Sequence, residues 1–376
     1  MRREYNVLLQ GDLFMRPEIF REKLDRAARR NGVTLRYTVL EQPYPVEKND
    51  LPQTALPSGM GLGWDDISHS PGEEVGECTG TMDFLKEQIK GKDLLFLHMA
   101  PVTEEVLKEA DRLLYIGCFR GGVPNINLKA AGEAGIPVCN CPGRNAEPVA
   151  EFTIGMMLAH SRYIARGHES IRRGYWEVGA YREGNAGPLL AGQTVGLIGF
   201  GAIGQNIAKR LRGFDMKVIY YDPYVGQEAG EVLGALKREM EEVLREADFL
   251  ILCTKLTKET RHMIGRKELS AMKPTAHLIN AARGGLLNYD ALYDALKEGE
   301  IAGAALDVYD PEPPLKGNSL LSLPNVTVTP HIAAASSGVV EKSAEIAAEE
   351  FEHFLKGEPL TRCVNQDDLK GGTADV

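Results

Sequence analysis

The run Gly199-Phe200-Gly201-Ala202-Ile203-Gly204 places three glycines at G-x-G-x-x-G spacing, and Asp222 follows 18 residues after the last of them. Alone, the pattern carries little weight. Here an apolar run, Thr194–Ile198, precedes it, a helical pattern, Gln205–Leu211, follows it, and Asp222 closes the next apolar run, Val218–Tyr221. A strand, a glycine turn, a helix and a second strand ending in a carboxylate make the dinucleotide-binding βαβ unit. Gly199 permits the tight turn. Gly201 lets the backbone approach a pyrophosphate at the helix N-terminus, where amides and the helix dipole favour anions. Gly204 lets the helix pack close to the strand. Asp222 is placed to accept hydrogen bonds from the adenosine ribose hydroxyls. It would repel a 2′-phosphate, and no Arg or Lys follows it directly, so the cofactor read from these residues is NAD rather than NADP. A glycine-rich turn without a ligand is the competing reading.

Further candidates lie after later apolar runs. Arg283 sits in Ala-Arg-Gly-Gly, Asp307 follows the run Gly303–Leu306, Glu312 lies between Pro311 and Pro313, and His331 follows a strand pattern and Pro330. Their bland readings are a loop arginine paired with a surface acid, a buried turn acid, an exposed loop acid and a structural histidine. The other seven histidines have no comparable context and read as structural.

The strings LIGFGAIGQNIAKRL, INAARGGLLN, ALDVYDPEPP and VTVTPHIAAAS resemble signatures of the D-isomer-specific 2-hydroxyacid dehydrogenases, which include phosphoglycerate dehydrogenase, glyoxylate reductase and D-lactate dehydrogenase. GCFRGGVPNINLKAAGEAGIPVCNCPGRNAEPVAE resembles the segment before that family's inter-domain helix. The likeness covers about residues 94–365 and is most specific from 194 to 335. It implies that Arg283 binds the substrate carboxylate, that His331 is the acid/base, and that Glu312 pairs with His331. It also implies cofactor contacts from Gly199, Gly201, Ala202, Ile203, Gly204, Asp222, Cys253, Thr254, Ala281, Asp307 and His331. The residue types suit the chemistry. A guanidinium clamps a carboxylate bidentately. Oxidation removes a hydroxyl proton while hydride leaves C2 for the nicotinamide, and the proton acceptor must titrate near neutral pH, as His does.

The family's substrate loop corresponds to Cys118–Asn125, in which Gly121 and Gly122 offer backbone amides to a carboxylate and Arg120 adds a cation that many relatives lack. Arg144 is a second such cation. Together the two arginines suggest an extended or doubly anionic substrate such as a sugar acid; two solvated surface arginines are the alternative. Relatives acting on phosphoglycerate often carry Arg after the third strand, where this chain has His98, which weakens that assignment. Lys255 stands where Pro is common.

The elements that must position these residues alternate along the chain as apolar runs and helical patterns, the mark of parallel α/β architecture. Strands are expected at Asn6–Gln10, Thr34–Leu40, Leu94–Leu97 and Leu113–Ile116, then at Thr194–Gly199, Val218–Tyr221, Phe249–Cys253, His277–Asn280, Gly303–Val308 and Val326–Thr329. Helical patterns include Leu236–Ala247, Tyr289–Glu298 and Gly338–Leu355. The fold class is two doubly wound parallel-sheet domains: a flavodoxin-like substrate (catalytic) domain of residues 1–150 plus about 338–376, discontinuous, and a Rossmann NAD-binding domain of 151–337, with the active site between them. Residues 43–80 hold five Pro and six Gly and no clear period, and read as a surface insertion. Val149–Ala165 is a strongly apolar helix; its surface, with the segment through Trp176, predicts a homodimer interface. The polar tail after Asn365 reads as frayed.

Composition narrows the function classes. Lys+Arg 43 against Asp+Glu 53 gives a net charge of −10, no electrostatic footprint for nucleic acid or an anionic membrane. Six cysteines are too few for a disulfide scaffold, and the pair Cys139 and Cys141 lacks partners at zinc spacing, so no metal is expected. No run approaches the ~18 apolar residues of a membrane span. The reading is a cytoplasmic NAD-dependent oxidoreductase acting on a small 2-hydroxy or 2-oxo acid of the sugar-acid or hydroxypyruvate/glyoxylate type. The alternative is an NAD(H)-sensing scaffold like the C-terminal-binding-protein corepressors, which resemble the same family and keep the same three polar residues. Formate dehydrogenase is disfavoured, since that relative carries Gln where this chain has Glu312.

Overall fold

The computed structural model describes residues 4–12, 14–42, 75, 78, 82–182 and 185–369. The segment read as an insertion, 43–80, lies outside them apart from Val75 and Cys78, as does the tail beyond residue 369. The chain divides into two compact units, Met1–Arg144 with Ser336–Val376, and Asn145–Ala335.

The first unit is built on five strands: β1 (Glu4–Asp12), β2 (Thr34–Gln42), β3 (Leu94–Leu97), β4 (Tyr115–Cys118) and β5 (Val138–Cys139). They form one sheet in the order β2-β1-β3-β4-β5, and every pairing is parallel. β3 and β4 are buried throughout, which is why they read as unbroken apolar runs rather than alternating ones. The helix Pro17–Arg30 starts with Pro at its first turn, where the missing N–H costs nothing. It buries Phe20, Leu24, Ala27 and Ala28 in a core shared with Val339, Ala344 and Phe351 of the helix Ser337–Lys356.

The second unit carries seven strands: β6 (Thr194–Ile198), β7 (Lys217–Tyr221), β8 (Ala235–Lys237), β9 (Phe249–Leu252), β10 (His277–Asn280), β11 (Gly303–Leu306) and β12 (Val326–Val328). Their order is β12-β11-β10-β9-β6-β7-β8, again all parallel. The strand order reverses between β6 and β9, so the loops leaving these two strands diverge and open a crevice at their carboxyl ends. Both sheets are doubly wound α/β sheets, as the alternation in the sequence predicts.

Three local expectations differ from the structure. The pattern Leu236–Ala247 is not one helix: β8 takes Ala235–Lys237 and the helix is Met240–Glu246, begun by a capping box between Glu239 and Glu242. The two-residue β5 has no counterpart among the expected strands, because two residues carry no period. The apolar helix runs from Ala146 to Ser161 and breaks at Tyr163, which is left-handed at φ 58°, before a second helix, Ile164–Arg172. Its apolar side chains are not an exposed interface. Ala150, Ile154, Met156 and Met157 are buried in the core of their own unit with Leu197, Phe200 and Ile207. A helix that is apolar nearly all round is a core helix, and burial within the unit accounts for the composition that suggests an interface.

Candidate active site

Gly199 leaves β6 with φ +98°, and a Cβ there would lie 2.8 Å from the amide nitrogen of Thr254 and 2.9 Å from the carbonyl carbon of Cys253. Only glycine fits the turn where the β6 and β9 loops pass each other. Gly204 is held equally close: its Cβ would stand 2.6 Å from the Gly199 carbonyl oxygen. Gly201 differs. It caps the helix Ala202–Leu211, and a Cβ on it would meet nothing within 4 Å. The space over that helix N-terminus suits a pyrophosphate, with the amides of Ala202 and Ile203 directed along the axis. Cys253 and Thr254 line the facing side of the turn, and Ala281 follows β10 in a small apolar cluster with Val149 and Ala333.

Asp222 follows β7 with only 9% of its surface exposed. Its Oδ2 accepts the amide of Phe200 at 2.7 Å, and its Oδ1 accepts the amides of Tyr224 at 2.8 Å and Val225 at 3.1 Å. The residue read from sequence as a ribose ligand is therefore also a brace that ties the glycine loop to the turn after β7. A carboxylate oxygen accepts more than one hydrogen bond, so the two roles are compatible.

The polar residues implied as catalytic lie beyond β10, β11 and β12 of the same sheet. Asn280 shapes the turn after β10: its Nδ2 donates to the Arg283 carbonyl at 3.0 Å and its Oδ1 accepts the Ala282 amide at 3.1 Å. Gly284 must be glycine, because a Cβ would run into the Tyr309 carbonyl. Arg283 is half-buried, with Nη1 donating to the Ala282 carbonyl at 2.7 Å.

Asp307 directly follows β11 and is fully buried. Its Oδ1 accepts Thr329 Oγ1 at 2.6 Å and the Ile332 amide at 2.9 Å, and its Oδ2 accepts the Ala333 amide at 2.8 Å. These donors flank His331, whose backbone is left-handed at φ 52°. A non-glycine residue in that region is strained and needs surrounding structure to hold it. The Asp307 carboxylate supplies that hold. Tyr309 adds to it, donating its hydroxyl to the Thr329 carbonyl at 2.8 Å. Sequence reasoning leaves open whether Asp307 is a cofactor neighbour or a turn acid; the structure shows it serving the turn.

Glu312 Oε1 is hydrogen-bonded to His331 Nδ1, and both side chains are about one-third exposed. A carboxylate accepts only, so Nδ1 carries the proton and Nε2 is the nitrogen left to face a reactant. The hydrogen bond to Glu312 holds the His331 pKa above its ordinary value, against burial and the Arg283 charge, which both push it down. One unit thus gathers an anion-ready helix N-terminus, a carboxylate after β7 tied to the glycine loop, a cation after β10, and an imidazole tuned by a carboxylate.

The substrate-loop residues belong to the first unit. Arg120, half-buried, follows β4, and its carbonyl accepts the Cys141 amide at 2.8 Å. Gly121 accepts Asn140 Nδ2 at 2.6 Å through its carbonyl, and Gly122 is exposed. Arg144 is 8% exposed, which excludes the solvated-surface reading for it. Its Nη1 donates to Ser343 Oγ at 3.4 Å, while its Nε is buried without a partner among the described residues. Burial pushes its pKa down to about 10. The histidines read as structural include a buried cluster of His160, His277 and Phe249, with His160 Nδ1 2.9 Å from Thr327 Oγ1. Among the described residues no group of three or more His, Cys, Asp or Glu is arranged to hold a metal, and no helix is long and apolar enough to cross a membrane.

This arrangement defines an NAD-dependent oxidoreductase. The family model for the D-isomer specific 2-hydroxyacid dehydrogenase NAD binding domain matches residues 154–333. The chain is 43% identical over 303 residues to the D-3-phosphoglycerate dehydrogenase of Methanocaldococcus jannaschii, a match that covers 79% of this chain but 57% of that relative, so the chain spans little more than half its length. It is 36% identical over 364 residues to the glyoxylate reductase of Pyrococcus furiosus, covering 95% of this chain and 97% of the relative. Among solved structures, the TT0316 protein from Thermus thermophilus superposes with a TM-score of 0.74 at 32% identity, over 96% of this chain and 99% of that one. The chain belongs to the D-isomer specific 2-hydroxyacid dehydrogenase family, and NAD is its cofactor.

Proposed function

We propose that the protein interconverts a D-2-hydroxy acid and its 2-oxo acid, and that its substrate is of the hydroxypyruvate/glyoxylate or sugar-acid type. The observation that carries the reading is the Glu312–His331 pair, whose Nδ1 bond leaves Nε2 to face a reactant, in the same unit as Arg283 in the turn after β10. In this reading Arg283 clamps the substrate carboxylate and fixes the orientation of C2. During oxidation His331 Nε2 takes the hydroxyl proton, and during reduction it returns a proton to the carbonyl oxygen. Bound at the glycine loop, NAD would supply the hydride acceptor for oxidation at C2 and, reduced, the hydride donor for the reverse direction. Glu312 stabilises the imidazolium formed on oxidation. Ala202, Ile203, Gly199, Gly201, Gly204, Cys253, Thr254 and Ala281 contact the cofactor through backbone and apolar surface, and Asp222 holds the ribose.

In the first unit, the amides of Gly121 and Gly122 take part in carboxylate binding, and Arg120 and Arg144 take a distal anionic group. The buried, underused guanidinium of Arg144 supports this, since a buried charge needs a partner. The relatives' names, a phosphoglycerate dehydrogenase and glyoxylate reductases, fit 2-oxo acids of different sizes. A homodimer is supported by exposed apolar residues on one stretch of chain, Ile164, Ile171, Tyr175, Trp176 and Tyr181. The protein acts in the cytoplasm on a small molecule, with no nucleic acid or membrane partner. The test is NADH consumption over glyoxylate, hydroxypyruvate, phosphohydroxypyruvate and sugar-derived 2-oxo acids. Turnover of at least one supports the reading; NADH binding without turnover of any would favour an NAD-sensing scaffold.

A further inference from the structure

β5 meets the C-terminal segment of its own unit at an antiparallel contact, with Cys139 opposite Cys363. The Val364 amide donates to the Val138 carbonyl at 2.8 Å, and the Asn140 amide donates to the Arg362 carbonyl at 3.2 Å. These two bonds flank the cysteines and make them a non-hydrogen-bonded antiparallel pair, the kind whose side chains approach most closely. The usual Cα separation of such a pair, about 4.5 Å, lies inside the range that disulfides span. The two thiols are in hydrogen-bonding contact. Groups on both sides of Cys363 hold the segment in register. The buried Glu350 carboxylate accepts the Arg362 amide at 2.7 Å and Thr361 Oγ1 at 2.8 Å. Asn365 Oδ1 accepts the Val138 amide at 2.9 Å, and Asn365 Nδ2 donates to the Ile136 carbonyl at 3.0 Å. The two sulfurs differ in access and acidity. Cys139 is buried, whereas Cys363 is partly exposed. The hydrogen bond from Cys139 brings the Cys363 thiol down to about 7, against burial and the Glu350 charge, with help from the backbone of Asn365 and Val138. The same contact, with burial, pushes the Cys139 thiol up. In its protonated form Cys363 donates to Asn365 Oδ1 at 3.3 Å. Cys363 is therefore substantially thiolate near neutral pH, and the thiolate is the reactive form. Cys118 and Cys141 of the same unit are buried, and burial pushes both thiols up, Cys118 to about 11. The reaction proposed above uses neither Cys139 nor Cys363.

We propose that Cys363 and Cys139 form a reversible oxidation site, at which a peroxide closes a disulfide that staples the C-terminal segment to β5. The Cys363 thiolate attacks one oxygen of hydrogen peroxide. The O–O bond breaks, hydroxide leaves and takes up the proton that Cys363 lost on ionising, and Cys363 becomes a sulfenic acid. The Cys139 sulfur then attacks the Cys363 sulfur, the S–O bond breaks, and the hydroxyl leaves as water with the Cys139 proton. Two electrons pass from the sulfurs to the peroxide, which ends as two waters. A dithiol reductant reverses the bond by thiol–disulfide exchange. In a reducing compartment such a bond is transient, which is the behaviour of a redox sensor rather than of a permanent brace. Both cysteines belong to one unit, and the inference does not depend on the reaction proposed above.

The test uses the reduced full-length chain with NAD bound, exposed to an equimolar amount of hydrogen peroxide and then alkylated under denaturing conditions. Intact mass should show the loss of two hydrogens from the protein. A peptide map made without reductant should join the peptide holding Cys139 to the one holding Cys363, with Cys141 still carrying the alkyl label, and dithiothreitol should separate the two. The oxidised chain should melt about 4–16 °C above the reduced one, and Cys363→Ser should abolish that difference. Three results overturn the proposal: no loss of hydrogen, a bond from Cys363 to a cysteine other than Cys139, or oxygen gained on Cys363 while Cys139 stays free. A Cys139–Cys363 bond that leaves the melting temperature unchanged overturns the staple. None of these readouts needs turnover, so the outcome is separate from that of the 2-oxo acid panel.

Discussion

Asp222 accepts the amide of Phe200 at 2.7 Å across 22 residues of sequence, binding the strand-end carboxylate to the middle of the glycine loop. The carboxylate proposed to select the ribose therefore also sets the shape of the glycine loop. Asp222→Ala should do two things. Preference for NAD over NADP should erode, because the carboxylate that repels a 2′-phosphate is gone. Affinity for NAD should fall by roughly 10- to 100-fold, as expected for lost hydrogen bonds to a charged acceptor, while NADP, which lacks the 2′-hydroxyl, should lose much less. The melting temperature should drop by about 2–4 °C for each kcal/mol of stability lost in a unit of this size. Steady-state kinetics with both cofactors and a thermal melt report the two effects separately. An unchanged NAD/NADP ratio would remove Asp222 from the ribose site.

Asp307 carries a comparable structural burden for the catalytic turn. Asp307→Ala strands Thr329 Oγ1 and the amides of Ile332 and Ala333 in a buried setting. With each orphaned donor costing about 1–3 kcal/mol, the variant should lose on the order of 3–5 kcal/mol of stability. It should also release His331 from its left-handed backbone and lower kcat by roughly 100-fold. Asp307→Asn retains one acceptor and should recover part of both. A stable Asp307→Ala variant with the original kcat would show that the turn holds His331 without help.

What the sequence reveals and what it conceals follow the range of the interactions. The glycine loop is legible because each glycine answers a local backbone demand, such as the positive φ at Gly199 and the close approach at Gly204. The long strands are legible because burial on both faces writes an unbroken apolar run. β5 and β8, at two and three residues, are too short to write any pattern. The Val149–Ala165 run is legible as apolar but not as to what covers it, since periodicity records burial and not the partner. The braces are barely legible: a turn acid is one of two readings for Asp307, but the donors it serves do not show. Asp12 reaches His98 over 86 residues and Asp307 reaches Ala333 over 26, and nothing in the local sequence marks an acid whose donors are distant in the chain. Even Asp222, marked in the sequence by its place after a strand, shows nothing there of its bond to Phe200.

Arg144 offers a case in which binding and stability should move in opposite directions. Its guanidinium is buried with one weak hydrogen bond and an orphaned Nε. Removing a poorly compensated buried charge is often neutral or stabilising. Arg144→Met should leave the melting temperature unchanged or raised, while KM for a sugar-acid or phosphorylated 2-oxo acid rises more than KM for glyoxylate, which has no distal group. Equal losses on both substrates would assign Arg144 to the shared carboxylate site or to folding.

The exposed stretch after Tyr163 should govern assembly. Trp176 is 82% exposed and Tyr181 is 94% exposed in the single chain, an unusual state for two large aromatic residues so near each other in sequence. Multi-angle light scattering of the wild type at micromolar concentration should give twice the chain mass, and the double variant Trp176→Glu/Tyr181→Glu should give the chain mass. A monomeric wild type would sink the dimer.

The Glu312–His331 pair, proposed as the centre of the chemistry, makes a prediction whose sign is fixed. Glu312 raises the His331 pKa chiefly through its hydrogen bond, while burial and Arg283 oppose it. Reduction needs the protonated ring, so its rate should fall as pH rises through the raised pKa. Oxidation needs the neutral ring, so its rate should fall as pH drops through the same value. Glu312→Gln keeps the shape and an acceptor oxygen but removes the charge, and the pKa should move down. Reduction should then lose activity at a lower pH than in the wild type, and the acid limb of oxidation should move the same way. Linkage has the same direction: the stability that the pair adds is present below the unfolded-state pKa of histidine, about 6.5, and is lost as pH rises through the folded-state value. The melting temperatures of wild type and Glu312→Gln should therefore converge at alkaline pH. His331→Ala removes the acid/base itself and should cost about 10²–10⁴-fold in kcat in either direction. Arg283→Ala should be severe through KM as well, because it loses both carboxylate binding and orientation. The deciding measurement is kcat/KM against pH in both directions for Glu312→Gln. Profiles that superimpose on the wild type would show that Glu312 does not tune His331, and the acid/base would have to be sought at another residue.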